Sequence, residues 1–308
     1  MVPPLVSVLQ DYHDFAAWHV ASGDVDPVYP VLGWLHREVC NTPEEELAFT
    51  MLYVAFYSLP SALAVWLDGW REGDLLTPEQ ARMATGVERR AHRDVRQFAR
   101  HMDALLDTSL RFGSLHDWLH PDVTAPAARW ATVQARLTSL HGNGRWAAYK
   151  VGEILDTVHG WNCPPPDAGH AQSSGPRHGL ADLFPETAAW TDNRPDTIAR
   201  LDVLTARLCE TTGLPVAQVE TTLCDWHNVM HGAYYVGHDI DLLHEHVIRT
   251  DRPDVSGLLM QARTTVFDHR WLGEHHGWTG VRRNLKRLYL DHGIIHWWDE
   301  GAMNAMRD

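Results

Sequence analysis

The sequence predicts an all-α fold, on three observations. No stretch alternates apolar and polar residues at the period of two that a half-buried strand requires. Apolar residues recur instead at helical spacing, in segments separated by Gly and Pro. One of the breaks carries explicit helix-start chemistry. In Asn41-Thr42-Pro43-Glu44-Glu45, Thr42 is the N-cap, Pro43 takes the first helical position and Glu45 closes a capping box.

Taken in order, a helix is expected from Leu9 to Ala21, then a loop over Gly23-Asp24-Val25-Asp26-Pro27-Val28-Tyr29-Pro30. Val31 to Cys40 leads to the helix that opens at Pro43 and runs to about Leu59, apolar on most sides and therefore buried. Residues 61–70 form another helix, and Thr77-Pro78-Glu79 opens a further one. Arg89 to Leu110 reads as a charged surface helix, and Ser114 to Leu119 as a short one. Pro126 to Ser139 and Arg145 to His159 are two helices joined by Leu140-His141-Gly142-Asn143-Gly144, where Gly142 and Gly144 permit a tight reversal. The amides opening the second helix are then left to bind an anion, a phosphate above all.

Residues 160–180, with Cys163-Pro164-Pro165-Pro166 and Gly175-Pro176-Arg177-His178-Gly179, are expected to be irregular. Helices resume at 197–212 and 216–230, and a further one runs from an Asp239 N-cap to Arg249. The tail holds Gly257 to His269, Gly280 to Leu290 and a Trp297-Trp298 end. The chain is expected to form one helical unit over 1–308, which two lobes at about 1–125 and 126–308 would also satisfy.

Composition narrows the function. At 44% hydrophobic residues the chain is globular, and it shows neither a membrane-length apolar run nor a secretory leader. A soluble cytoplasmic protein is expected. The four Cys are scattered without a CxxC pair, so neither a structural zinc nor a disulfide framework is expected. A net charge of −14 argues against loose DNA binding by the whole surface, so any DNA contact needs a local basic patch. Arg263, Arg270, Arg282, Arg283, Lys286 and Arg287 form the best such stretch, an ordinary solvated face being the alternative.

Three glycine-punctuated clusters carry candidate chemistry. After the hairpin, Trp146, Tyr149, Lys150, Glu153 and Asp156 share one broad side of a helix. Lys150 either meets a substrate phosphate or simply pairs with Glu153. In the second cluster, Arg177 offers a fork for phosphate oxygens and His178 a proton carrier near neutrality. In the third, Tyr234-Tyr235 precedes Asp239 and Asp241. These carboxylates can hold a divalent metal such as Mg²⁺ or act as a base, or merely favour a helix start.

The hairpin resembles the helix-hairpin-helix of the DNA glycosylase superfamily, whose turn reads Leu-x-Gly-x-Gly. It departs at the positions where base-excising members carry a catalytic Lys and Asp: Arg145-Trp146 and the Cys163–Pro166 loop stand there. Three segments together resemble the phage α-glutamyl/putrescinyl thymine pyrophosphorylases, also called amino acid:DNA transferases. They are Asp24-Val25-Asp26-Pro27-Val28-Tyr29, the Gly142–Lys150 hairpin, and Cys224-x-Trp226 through Tyr234-Tyr235-x-Gly237-x-Asp239-x-Asp241, within about residues 10–250.

The resemblance implies a helical, glycosylase-like enzyme acting on double-stranded DNA in a phage-infected bacterial host. Its substrate would be the pyrophosphate ester of 5-hydroxymethyluracil. An amino acid or polyamine would displace the pyrophosphate, without a firm need for a cofactor beyond an accompanying Mg²⁺. The hairpin glycines Gly142 and Gly144, with Arg145, Lys150 and Arg177, would hold the diphosphate. His178, Asp239 or Glu153 would take the amine proton, and Trp146 or Tyr235 would hold a flipped base. A non-catalytic DNA-binding module and a divergent glycosylase are the alternatives.

Overall fold

The computed structural model describes residues 5–72, 74–77, 79–80, 95–231 and 233–272. Among these residues the fold is all-α, with no strand. The helices are α1 (Leu5–Ser22), α2 (Val28–Val39), α3 (Pro43–Phe56), α4 (Leu59–Leu67), α5 (Val95–Phe112), α6 (Leu115–Leu119), α7 (Pro126–Ser139) and α8 (Arg145–Thr157). Then come α9 (Gly175–Leu183), a 3-10 turn (Pro185–Ala189), α10 (Pro195–Thr212), α11 (Val216–Met230), α12 (His238–Ile248), α13 (Pro253–Val266) and α14 (His269–Leu272). The expected Thr77-Pro78-Glu79 start, the first part of the Arg89–Leu110 helix, the Gly280–Leu290 helix and Trp297-Trp298 lie wholly or partly outside the described residues.

The chain divides into two compact units that interleave along the sequence. The first comprises Met1–Pro27, Pro166–Glu245 and Phe267–Asp308; the second comprises Val28–Pro165 and His246–Val266. The core of the first joins Tyr12, Phe15 and Ala16 of α1 to Leu180, Leu183, Leu223 and Trp226 of α9 and α11. Residues 160–174 are irregular, as expected, but helix α9 corrects that expectation for 175–180. Pro176 lies in the first turn, where its missing N–H is no loss. Gly175 and Gly179, one turn apart, form the face that meets α11. A Cβ on Gly175 would sit 2.5 Å from Cys224 Sγ, and one on Gly179 would overlap the Leu223 carbonyl oxygen. Tertiary packing thus overrides the local helix-breaking signal.

In the second unit α3 is buried at every position from Leu47 to Phe56, as its apolar sequence predicts. Thr42 accepts the Glu45 amide at 3.2 Å, and the Glu45 carboxylate accepts from the Asn41 amide at 2.7 Å. Each fully buried Leu or Phe here contributes about 1.5–3 kcal/mol, so packing holds the helix. Helix α2 starts at Val28, inside the expected loop, because Pro30 is tolerated in a first turn. Helices α7 and α8 pack closely through Gly152, where a Cβ would fall 2.5 Å from the Trp130 ring. In their turn Gly142 takes φ +85°, whereas Gly144 caps α8 at φ −79°. Only one of the two glycines therefore uses the left-handed region.

Candidate functional site

In the first unit a buried set of acids and imidazoles gathers where α1, α11 and α12 meet. Tyr12, Phe15, Ala16 and His19 recur along one face of α1, so His19 lies on the buried stripe. Its Nε2 is 3.0 Å from Asp225 Oδ2 on α11, and its Nδ1 is 3.5 Å from Asp24 Oδ2. Asp24, just past the end of α1, accepts from the Tyr234 hydroxyl at 2.8 Å and from the amides of Gly237 at 2.6 Å and Ile240 at 2.9 Å. It therefore caps α12 from more than two hundred residues away. Asp239 is not the expected cap, since α12 already begins at His238. Asp239 Oδ1 instead pairs with His238 Nδ1 at 2.8 Å.

The electrostatics follow from burial. Loss of water pushes the Asp225 carboxyl up to about 7, against the pull of His19. Burial also raises Asp24, which His19 and the amide and hydroxyl donors counter. Burial lowers His19, but the bond to Asp225 and the charges of Asp225, Asp24 and Asp239 outweigh it and its pKa rises. His238 behaves likewise through Asp239. Each raised imidazole thus owes its shift to neighbouring carboxylates, Asp225 first for His19 and Asp239 for His238. The Asp225 side chain keeps 12% exposure while that of His19 has none, so Asp225 is the acid of this pair that meets solvent.

In the second unit the hairpin corner presents the start of α8. Gly144 and Arg145 are exposed, and no side chain caps the helix. The turn is fastened from α5, whose His101 Nδ1 is 2.7 Å from the His141 carbonyl oxygen. One turn further on, Lys150 Nζ lies 2.8 Å from Glu153 Oε2, which also accepts from the Tyr29 hydroxyl at 2.9 Å. Glu153 is buried and Lys150 nearly so.

The family model described as amino acid:DNA transferase matches residues 11–235, well over half of the chain. The chain belongs to that family. It is a transferase, and DNA and an amino acid are the two substrates the family name specifies. The matched span contains His19, Asp24, Asp225 and Tyr234 of the buried acid cluster, and the whole hairpin of the second unit. No helix among the described residues is long and apolar enough to cross a membrane.

The transferase structure sorts the residues singled out from sequence. Arg177 sits on α9, where its terminal nitrogens are held by the Thr191 and Asp192 carbonyls at 3.2 Å and by Asn193 Oδ1 at 2.5 Å. This guanidinium therefore anchors the 191–193 loop. His178, exposed on α9, tilts against His227 with ring centroids 5.0 Å apart. Tyr235 is buried and donates to Asp241 Oδ2 at 3.0 Å, which ties both into the core. Trp146 stands edge-on to Tyr57, with centroids 4.7 Å apart, and is partly exposed. Asp156 accepts the Cys163 amide at 2.7 Å, so the broad side expected after the hairpin disperses into separate contacts. Arg282, Arg283 and Lys286 lie outside the described residues, and Arg263 is buried rather than part of a basic surface.

Asp225, His19 and Asp182 were not singled out from sequence. His19 had a readable signal: an ionisable residue at the i+7 position of an apolar stripe. Among the described residues, two groups bring metal-binding atoms within 4.8 Å of one another: His36, Glu46 and His159, and Asp182, His227 and His231. In the former, Thr50 Oγ1 lies 3.2 Å from His36 Nε2 and 3.0 Å from His159 Nε2, joining the two imidazoles directly.

Proposed function

We propose that this transferase moves an amine, from an amino acid or a polyamine, onto the pyrophosphorylated 5-hydroxymethyl group of a uracil in DNA. The amine lone pair forms a C–N bond to the exocyclic carbon. The C–O bond breaks, and pyrophosphate leaves with the electron pair. The amine, arriving as an ammonium ion, first gives one proton to Asp225, which frees that lone pair, and the product leaves as a secondary ammonium. The observation that carries this reading is the place of Asp225, 3.0 Å from His19 Nε2 with its side chain 12% exposed, where burial pushes the carboxyl up to about 7. A base poised there can accept a proton without being permanently protonated or too weak. The carboxylates of Asp225 and Asp239 also suit a substrate that arrives as a cation.

His19 and Asp24 act as positioning residues, orienting Asp225 and the start of α12. In the second unit, the start of α8, which no side chain caps, and the exposed Arg145 suit a phosphate of the DNA backbone. Trp146, in the same unit, offers a ring on which a DNA base can stack. Lys150, paired with Glu153, contributes charge to that corner.

The test incubates the protein with DNA carrying the pyrophosphorylated base and a mixture of amino acids and polyamines. Digested nucleosides are then weighed by mass spectrometry and pyrophosphate is quantified. An amine adduct in step with pyrophosphate is expected, and Asp225→Asn should lower kcat by about 10²–10⁴-fold. Failure to form an adduct with any amine, or release of the free base instead, overturns the reading.

A further inference from the structure

The helix pair α9 and α11 carries a second cluster of ionisable side chains. Two residues beyond Asp225 the helix has turned through about 200°, so His227 projects away from the buried acids and toward α9. Two pairs spaced four residues apart face each other there: His178 and Asp182 on α9, and His227 of α11 with His231, the residue that caps its C-terminal end. His227 Nδ1 is 2.6 Å from Asp182 Oδ2. The His227 ring centroid lies 4.2 Å from that of His231 and 5.0 Å from that of His178. We propose that Asp182, His227 and His231 bind one divalent transition-metal ion of the Zn²⁺ type, with His178 placed to add a fourth ligand.

Four features support the site. The donors already lie within 4.8 Å of one another, and tetrahedral coordination asks for about 3.3 Å between ligand atoms, a change that side-chain rotation supplies. The two helices are locked at short range by Gly175 and Gly179, so the ligands share a rigid base. His231 Nδ1 sits 2.8 Å from the His227 carbonyl oxygen, which fixes its proton on Nδ1 and leaves Nε2 with a lone pair. His178 and His231 are exposed, so an ion can enter from solvent. Imidazole and carboxylate donors without a thiolate select a borderline ion over Mg²⁺ or Ca²⁺, which want oxygen ligands. Histidine pairs one helical turn apart are a recurrent way to hold such an ion. The group at His36, Glu46 and His159 is the weaker candidate, because the Thr50 hydroxyl already joins its two imidazoles.

The test of this site needs no activity. The untagged full-length chain is titrated with Zn²⁺ in a calorimeter and with Co²⁺ by visible absorption. One ion per chain is expected, with micromolar or tighter affinity. His231→Ala and Asp182→Asn should each weaken binding by about 10–100-fold, while Glu46→Gln leaves it unchanged. If His227→Ala fails to fold, the exposed His231 keeps the comparison decisive. Millimolar-only binding, an affinity untouched by His231→Ala and Asp182→Asn, or a loss confined to Glu46→Gln overturns the proposal.

Discussion

Replacing Asp24 probes the hub of the buried acid cluster. Its carboxylate accepts from Tyr234 at 2.8 Å, Gly237 at 2.6 Å and Ile240 at 2.9 Å, and lies 3.5 Å from His19. All of these partners are buried. A buried donor deprived of its acceptor costs about 1–3 kcal/mol. The three losses share one network and do not simply add, so Asp24→Ala should cost about 3–6 kcal/mol. That is a large part of the roughly 5–15 kcal/mol by which a domain is stable. Asp24→Asn keeps one carbonyl oxygen but turns an amide against donors, and should cost about 2–4 kcal/mol. Urea unfolding followed by tryptophan fluorescence measures both, and hydrogen exchange at the Gly237 and Ile240 amides localises the effect. If both variants stay within about 0.5 kcal/mol of wild type, as ordinary surface substitutions do, Asp24 is not the hub described.

Three further outcomes are expected. Gly179→Ala drives a methyl into the Leu223 carbonyl and should cost about 3 kcal/mol or more, read as a fall in urea midpoint without a change in slope. Lys150→Ala removes the cation 2.8 Å from the buried Glu153 carboxylate, and should cost about 2–4 kcal/mol. Glu153→Gln in the same background should restore part of the loss. Acid and alkali should loosen different units. Burial depresses His36 to about 3 and His159 to about 4, so their contribution is present above the ordinary imidazole range and is lost as pH falls toward those values. Asp225 and His19 are raised, so their contribution is present at low pH and is lost as pH rises through neutrality. Hydrogen exchange at acid pH should speed first around α2 and α8, and at alkaline pH around the start of α12.

Much of the helix content was legible because helical periodicity and capping chemistry are local. The Thr42-Pro43-Glu45 start and the span of α11 could be read directly from spacing. Helix α9 could not, because its glycines are helix-breaking until the approach of α11 is known. The same limit applied to α12: a nearby Asp is the natural cap to expect, while the one used comes from the far end of α1. At the candidate site, the quoted motifs contained Asp24, Tyr234 and Asp225, yet Asp225 stood between Cys224 and Trp226 with nothing to set it apart. What distinguishes it is desolvation beside His19, a property of packing and not of sequence. Arg177 shows the converse, a residue with phosphate-binding chemistry whose hydrogen bonds go to its own loop.

The bond between Tyr12 and Thr222 spans 210 positions of chain. During synthesis at about 5–20 residues per second, the amino-terminal helix therefore emerges on the order of ten to forty seconds before the segment it packs against exists. Through that interval Phe15 and Trp18 have no permanent neighbours on α11 or α14 to cover them. Native assembly of this half must wait until α11 and Trp271 have been made, which leaves the nascent chain a natural client for holdase chaperones. It also makes a fusion placed upstream of Leu5 more hazardous than its distance from the acids suggests.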